Sequence, residues 1–254
     1  MSMPGSPPRE NQKCSRAGVT LLELLLAISL LGLLSAGILT ALRVGANAMQ
    51  RANLRLIDNR RMNGVQRILE QQIAGFTPVI AACQSGGERP PVPLPFFQGE
   101  RESMRMVSSY SLTDAWRGYP QILEFQVTAG ARGEGVRLVV NEHLYTGPPS
   151  AGAFCLGQEL DPELGLSVPV FRPIVAGPRS FVLADRLAFC RFSYLERRLP
   201  PEQDRWVERW LLPRWPAAVR IEMAPADPDR VRYPPLSLSA PIRITAQPLA
   251  AYGG

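Results

Sequence analysis

Apolar and polar positions divide the 254 residues into three regimes. From Val19 to Leu42 the chain is apolar apart from one carboxylate, Glu23, in the stretch "VTLLELLLAISLLGLLSAGILTAL". About 24 residues at 1.5 Å each reach ~36 Å, so this run predicts a helix able to cross a ~30 Å hydrocarbon core with some tilt. From Arg43 onward the pattern becomes amphipathic. Leu54, Ile57, Met62, Val65, Ile68, Leu69 and Ile73 fall within one arc at ~100° per residue, with Asn53, Asn59, Arg60, Arg67 and Glu70 mostly opposite. The helix therefore continues with one face packed on a domain, and Gly75 and Pro78 end it. Beyond Pro78 the runs "SMRMVSSYS", "QILEFQVT", "GVRLVVNEHLY", "RLAFCRFSYLE", "AAVRIEM" and "PIRITA" predict antiparallel strands. "GGERPPVPLP", "TGPPSAGAF" and "APADPDRVRYPP" predict loops by their proline and glycine content. The expected class is α+β, a long N-terminal helix packed on a mostly antiparallel β-sheet head. Its parts are a basic segment 1–18, a helix 19–75 whose residues 19–42 cross a membrane, and a β-rich head 76–254.

Charge fixes the orientation. Lys+Arg (28) exceed Asp+Glu (22), and Arg9, Lys13 and Arg16 precede the apolar run. Positive charge on that side keeps the short N-terminus cytoplasmic and places everything after Leu42 outside. Every other cation is arginine, with no aromatics interleaved among basic residues, so no nucleic-acid groove is expected. Glycines at 32, 37, 45 and 64 each weaken a helix by ~1 kcal/mol relative to alanine, which suits close packing within a fibre and equally the ordinary tolerance of membrane helices for glycine.

Candidate chemistry is sparse. Four cysteines without a CxxC pair, and a single histidine, exclude zinc spacing and a thioredoxin-type pair. Cys83, Cys155 and Cys190 follow the apolar run, and sequence alone leaves all three single pairings open. Alternation puts Ala188, Cys190, Phe192 and Tyr194 on one apolar strand face, where a free cysteine behaves as a small hydrophobe. Cys83 and Cys155 lie in loop-like stretches with freedom to meet, so the expected disulfide joins these two. There is no G-x-S-x-G, H-E-x-x-H, phosphate loop or S-x-x-K, and no catalytic residue, metal, cofactor or small-molecule substrate is expected. His143 reads as a surface or satisfied strand residue. Asp227 and Asp229, with a proline between them and an arginine after, read as a turn rather than a calcium loop.

Glu23 decides between readings of the N-terminus, because a charge in mid-bilayer costs roughly 2.5–3.5 kcal/mol. A secretory signal peptide with a small-residue site at Ala46-Asn47-Ala48 is the first, but the run is about twice the usual 7–15 residues. A plain anchor is the second, and it has no use for the acid. The third rests on the string "RAGVTLLELLLAISLLGLLSAGI", which resembles the N-terminal signature of type IV pilins and pseudopilins. The resemblance implies that a prepilin peptidase cuts after Gly18 and N-methylates Val19, where the family usually carries phenylalanine. It also implies that the amine freed at Val19 pairs with Glu23 of a neighbouring subunit, which cancels two costly charges.

The head is similar to the J-class minor pseudopilins of type II secretion systems. The matching residues are Phe97 and Gly99, Tyr194, Trp206 and Trp210, then Leu212-Pro213 followed by Ala218-Val219-Arg220, with Arg214-Trp215-Pro216 inserted. This resemblance implies a subunit at the tip of the pseudopilus, helping to initiate assembly and export across the outer membrane. Its implied partners are the I- and K-class minor pseudopilins, the major pseudopilin and the peptidase. It implies a single-pass bacterial inner-membrane protein with a periplasmic head. Trp206, Trp210 and Trp215 read either as an aromatic contact patch for a partner or as caps on the head's core. Two alternatives stay open: a minor pilin of a type IV pilus or DNA-uptake machine, and a membrane-anchored exported enzyme of unrecognised chemistry.

Overall fold

A computed structural model describes residues 19–85, 89–113, 117–162, 165–226 and 235–243. Helix α1 spans Leu21–Ala74. Packing divides the molecule inside this helix, into Met1–Leu54 and Arg55–Gly254. In the first unit every described side chain is exposed, the leucines included. A helix apolar all round needs lipid or other chains to cover it, and Leu21–Asn53 is long and apolar enough to cross a membrane.

In the second unit the helix is amphipathic. Val65, Leu69 and Ile73 are buried, Met62 and Ile68 half-buried, and Arg60, Arg67 and Glu70 exposed. The side chains of Leu54, Ile57 and Asn59 lie outside the described set. The last turn closes with the Gly75 N–H donating to Gln71 O and the Phe76 N–H to Ile73 O. A Cβ at Gly75 would sit 2.7 Å from Ser108 Oγ, so only glycine lets the chain leave the helix so close to the sheet.

The main sheet is antiparallel. Its strands are β3 (Gln98–Gly99), β4 (Ser103–Tyr110), β5 (Arg117–Ala129), β6 (Val136–Leu144), β9 (Phe181–Glu196), β10 (Arg205–Val207), β11 (Ala218–Pro225) and β12 (Leu236–Pro241). They run in the order β12-β11-β9-β6-β5-β4-β3, with β10 also beside β9. Two hairpins stand apart, β1 (Ile80–Ser85) with β2 (Arg89–Pro95), and β7 (Cys155–Asp161) with β8 (Leu166–Phe171). The sixteen-residue β9 pairs with β6 through its first half, and further along the Phe192 N–H donates to Arg101 O at 2.8 Å. The Trp210 N–H likewise donates to Gly99 O, so the sheet curls until its β3 end meets the region around β9 and β10.

Alternation gives the sheet two faces with separate cores. Met104, Met106, Leu123, Phe125, Leu138 and Val140 join Val65, Leu69 and Ile73 of α1. Val107 and Ile122 instead pack with Val79, Ala81, Cys83, Phe96, Phe154 and Cys155.

Several local expectations are corrected. "GGERPPVPLP" was expected as a loop, yet its residues from Arg89 form β2. Because the Phe96 N–H donates to Val79 O, the register turns Pro91, Pro93 and Pro95 to the open side of the hairpin, where no N–H is needed. "TGPPSAGAF" contains the short helix α2 (Pro148–Gly152), with prolines in its first turn. The final described strand is "LSLSAP", one run earlier than "PIRITA", whose residues from Ile244 lie outside the described set. Ala188 does not share the face of Cys190. A bulge opposite Ala224/Pro225, with Arg186 at φ 53°, buries both Leu187 and Cys190 and turns Ala188 out. Asp227 and Asp229 lie outside the described residues.

Candidate assembly site

The start of α1 is built by Thr20. Its hydroxyl oxygen accepts the Glu23 N–H at 3.3 Å, and its carbonyl accepts the Leu24 N–H at 3.2 Å. Thr20 is thus the N-cap and Glu23 the third helical residue, the Thr-x-x-Glu spacing of a capping box. That signal is plain in "TLLE", and reading Glu23 only as an anomaly in an apolar run misses it. Glu23 is exposed in the first turn, where the positive end of the helix dipole favours a carboxylate. Among the described residues nothing pairs with that carboxylate. Val19 is exposed beside it, and Gly18 lies outside the described residues.

In the head, the matched aromatic and glycine positions meet. The Phe97 and Tyr194 rings stand edge to face with centroids 5.6 Å apart. A Cβ on Gly99 would lie 2.7 Å from the Tyr194 ring and 2.9 Å from Trp210 Cβ, so glycine is required by close approach. The fully buried Tyr194 hydroxyl lies 2.9 Å from Glu100 O and 3.2 Å from Ser103 O, and burial holds its pKa well above the ordinary value. Trp210 is buried and its indole N–H donates to Arg214 O at 2.6 Å. Trp215 is half-buried against the same core, and Arg220 lies 3.9 Å over the half-exposed Trp206 ring. The three tryptophans are therefore spread from core to surface. Leu212 packs on the core, and Ala218 and Val219 open β11 as buried residues.

A polar cluster on the opposite face carries no signal that sequence reading caught. Arg105 and Glu124 stand directly opposite each other on β4 and β5, and both are buried. The Arg105 guanidinium donates to Glu124 Oε1 through Nε at 2.9 Å and Nη2 at 2.6 Å, and also to Gln98 Oε1 and Arg172 O. Asn141 donates to Glu124 Oε2, and His143 Nε2 lies 3.1 Å from the same oxygen. Burial pulls the Arg105 pKa down. For Glu124, burial pushes up, but the Asn141 bond, Arg105 and the His143 bond outweigh it and hold the carboxyl below its usual range. Phe154 and Phe171 cover the guanidinium at 5.2 and 5.4 Å. His143, exposed on its strand, thus has a carboxylate partner.

A disulfide joins Cys83 and Cys155, with Cα atoms 5.3 Å apart. Both residues belong to strands, where loops were expected. Cys190 is a buried free thiol whose pKa is pushed up to about 12 by burial.

Against known protein families, residues 13–39 match the prokaryotic N-terminal methylation motif. No curated protein matches the chain. The motif indicates a pilin- or pseudopilin-type protein, a class whose members a prepilin peptidase processes and which assemble with other pilin-type subunits.

Proposed function

We propose that the chain is a J-class minor pseudopilin, a structural subunit at the tip of a type II secretion pseudopilus. Its N-terminus faces the cytoplasm, α1 crosses the inner membrane, and the head lies in the periplasm. Cleavage after Gly18 frees a Val19 amine, which becomes N-methylated. In the assembled tip that cation pairs with Glu23 of the next subunit, so each protomer brings a charge that is stable in the bilayer only beside a correctly placed neighbour. The observation that carries the reading is an exposed, unpaired Glu23 in the capped first turn of an all-round apolar helix, within the methylation motif. The J-class assignment rests on the packed cluster of Phe97, Gly99, Tyr194 and Trp210.

Intact mass of the membrane-extracted protein tests the processing, with a methylated Val19 expected at the N-terminus. A start at Met49 would restore the signal-peptide reading. Glu23→Leu should leave insertion intact and abolish co-purification with the I- and K-class subunits. Unchanged co-purification would remove the pairing role.

A further inference from the structure

The outer face of the main sheet is covered by β1, β2, α2, β7 and β8, which are tied to one another more closely than to the sheet. The Cys83–Cys155 disulfide joins β1 to β7. A Cβ on Gly152, at the end of α2, would collide with Ala82 O, so helix and strand lie backbone to backbone. The Phe96 ring, just past β2, meets Phe154 and Phe171 edge to face, with centroids 6.3 and 5.8 Å apart. Of the nine buried residues in this outer core seven belong to the cover, and only Val107 and Ile122 come from the sheet.

What holds the cover down is of a different kind. Among the described residues none of its strands pairs with a strand of the main sheet. Backbone bonds reach the sheet where the chain enters, from the Thr77 N–H to Val107 O and from the Tyr145 N–H to Pro120 O. Elsewhere the main fastening is Arg105, whose guanidinium lies under Phe154 and Phe171 and donates to Arg172 O at 2.7 Å. Asn141 also donates to Val175 O, beyond β8. Separation bares few apolar groups on the sheet, and it returns water to Arg105 and Glu124, whose burial against each other costs hydration. The α1 face has no such weakness, because its core is continuous through helix and sheet.

We propose that the cover leaves the outer face of β4, β5 and β6 as a single cooperative body, while α1 and the main sheet stay folded. Cooperative units of this kind open at free energies below that of global unfolding. The disulfide makes the two hairpins move together, and the Arg105–Glu124 pair makes the separated state accessible, because both charges are hydrated there. The inference rests on neither Glu23 nor the cluster around Tyr194, so it stands apart from the tip role proposed above.

Hydrogen exchange of the full chain in detergent micelles, resolved by peptide mass spectrometry, tests this. The slowest amides of β1, β2, β7 and β8 should share one opening constant, at least about tenfold larger than that of β5, β11 and the helix from Val65 to Ile73. Arg105→Met with Glu124→Leu puts apolar side chains where the charges stood, so exchange of the cover should slow about tenfold with α1 unchanged. Cys83→Ala with Cys155→Ala should split the shared constant in two. Cover amides that exchange only together with the sheet overturn the proposal, as do hairpins that open independently with the disulfide intact. An Arg105→Met, Glu124→Leu chain whose cover exchanges as fast as the wild type's overturns the role of the ion pair. If either variant fails to fold, the wild-type measurement decides alone.

Discussion

The two faces of the main sheet solve the same burial problem with different means. One face meets a contiguous stretch of α1 over a core built mainly from apolar side chains such as Leu69, Ile73, Phe125 and Phe192, while the hydroxyls of Tyr194 and Ser108 and the Trp210 indole N–H each bond a backbone carbonyl. The other meets pieces from far apart in the chain, β1, α2 and β7, and is held by a disulfide and by a buried ion pair roofed with phenylalanines. The contrast teaches that a cover supplied by one long amphipathic element is held chiefly by the hydrophobic effect, with a few bonds such as Ser108 Oγ to Gln72 O fixing its position. A cover assembled from short segments, each too small to bury much area, is fastened by directional and covalent links.

The largest test of that contrast is Glu124→Leu. It strands the Arg105 guanidinium in a buried site and should destabilise the head by about 3–5 kcal/mol in denaturant unfolding. Arg105→Met together with Glu124→Leu should return most of that loss, since apolar replacement of a whole buried pair is often near neutral. A double variant as unstable as the single one would show that the cluster's other bonds, to Gln98, Asn141 and Arg172, matter more than the pair.

Next comes the covalent link. Non-reducing peptide mapping should find Cys83 joined to Cys155 and Cys190 alkylated only after unfolding. Cys83→Ala with Cys155→Ala should cost about 2–4 kcal/mol, chiefly by freeing the unfolded chain between two residues 72 apart. A Cys155–Cys190 linkage would break the distinction between the two faces, because Cys190 belongs to the core on the α1 side.

The smallest effect is the acid response. The Glu124 carboxyl sits below its usual range in the folded head, so the unfolded chain takes up that proton first as pH falls. Its contribution is complete above about pH 4.3, the ordinary glutamate value, and is lost as pH drops through the lower folded value. Urea midpoints measured between pH 6 and pH 3 should decline for the wild type. With Glu124→Leu that component should vanish.

The same contrast explains what could be read from the chain. The α1 face was legible because its signals are local, a 3.6-residue period through Val65, Leu69 and Ile73 and a period of two through β4, β5 and the part of β9 from Cys190 to Tyr194, beyond its bulge. The opposite face was not. Prolines in "RPPVPLP" spoke for a loop, and only the register shows that alternate ones fall on an open edge. Arg105 in "SMRM" and Glu124 in "ILEF" look like solvent-facing alternates until β4 and β5 are paired and the two stand opposite. At the N-terminus the motif was legible in full, and the cap formed by Thr20 was also there to be read in "TLLE".

The curl of the sheet onto β9 sets an order for the chain's maturation. The Tyr194 hydroxyl reaches the carbonyl of Glu100, 94 residues earlier, and the Phe192 N–H reaches Arg101 O. Until β9 is in place, β6 has no neighbour on its far side and Gly99 faces no indole-bearing loop. A nascent head threaded out N-terminus first would hold β4, β5 and β6 as a meander with one bare side, then close in a late step when the segment around residue 190 arrives. Because loop-closure entropy comes before such distant contacts are rewarded, closure should dominate the time the head takes to become native. During that wait its exposed strand is the place where a chaperone would find the protein, or a stray strand would trap it.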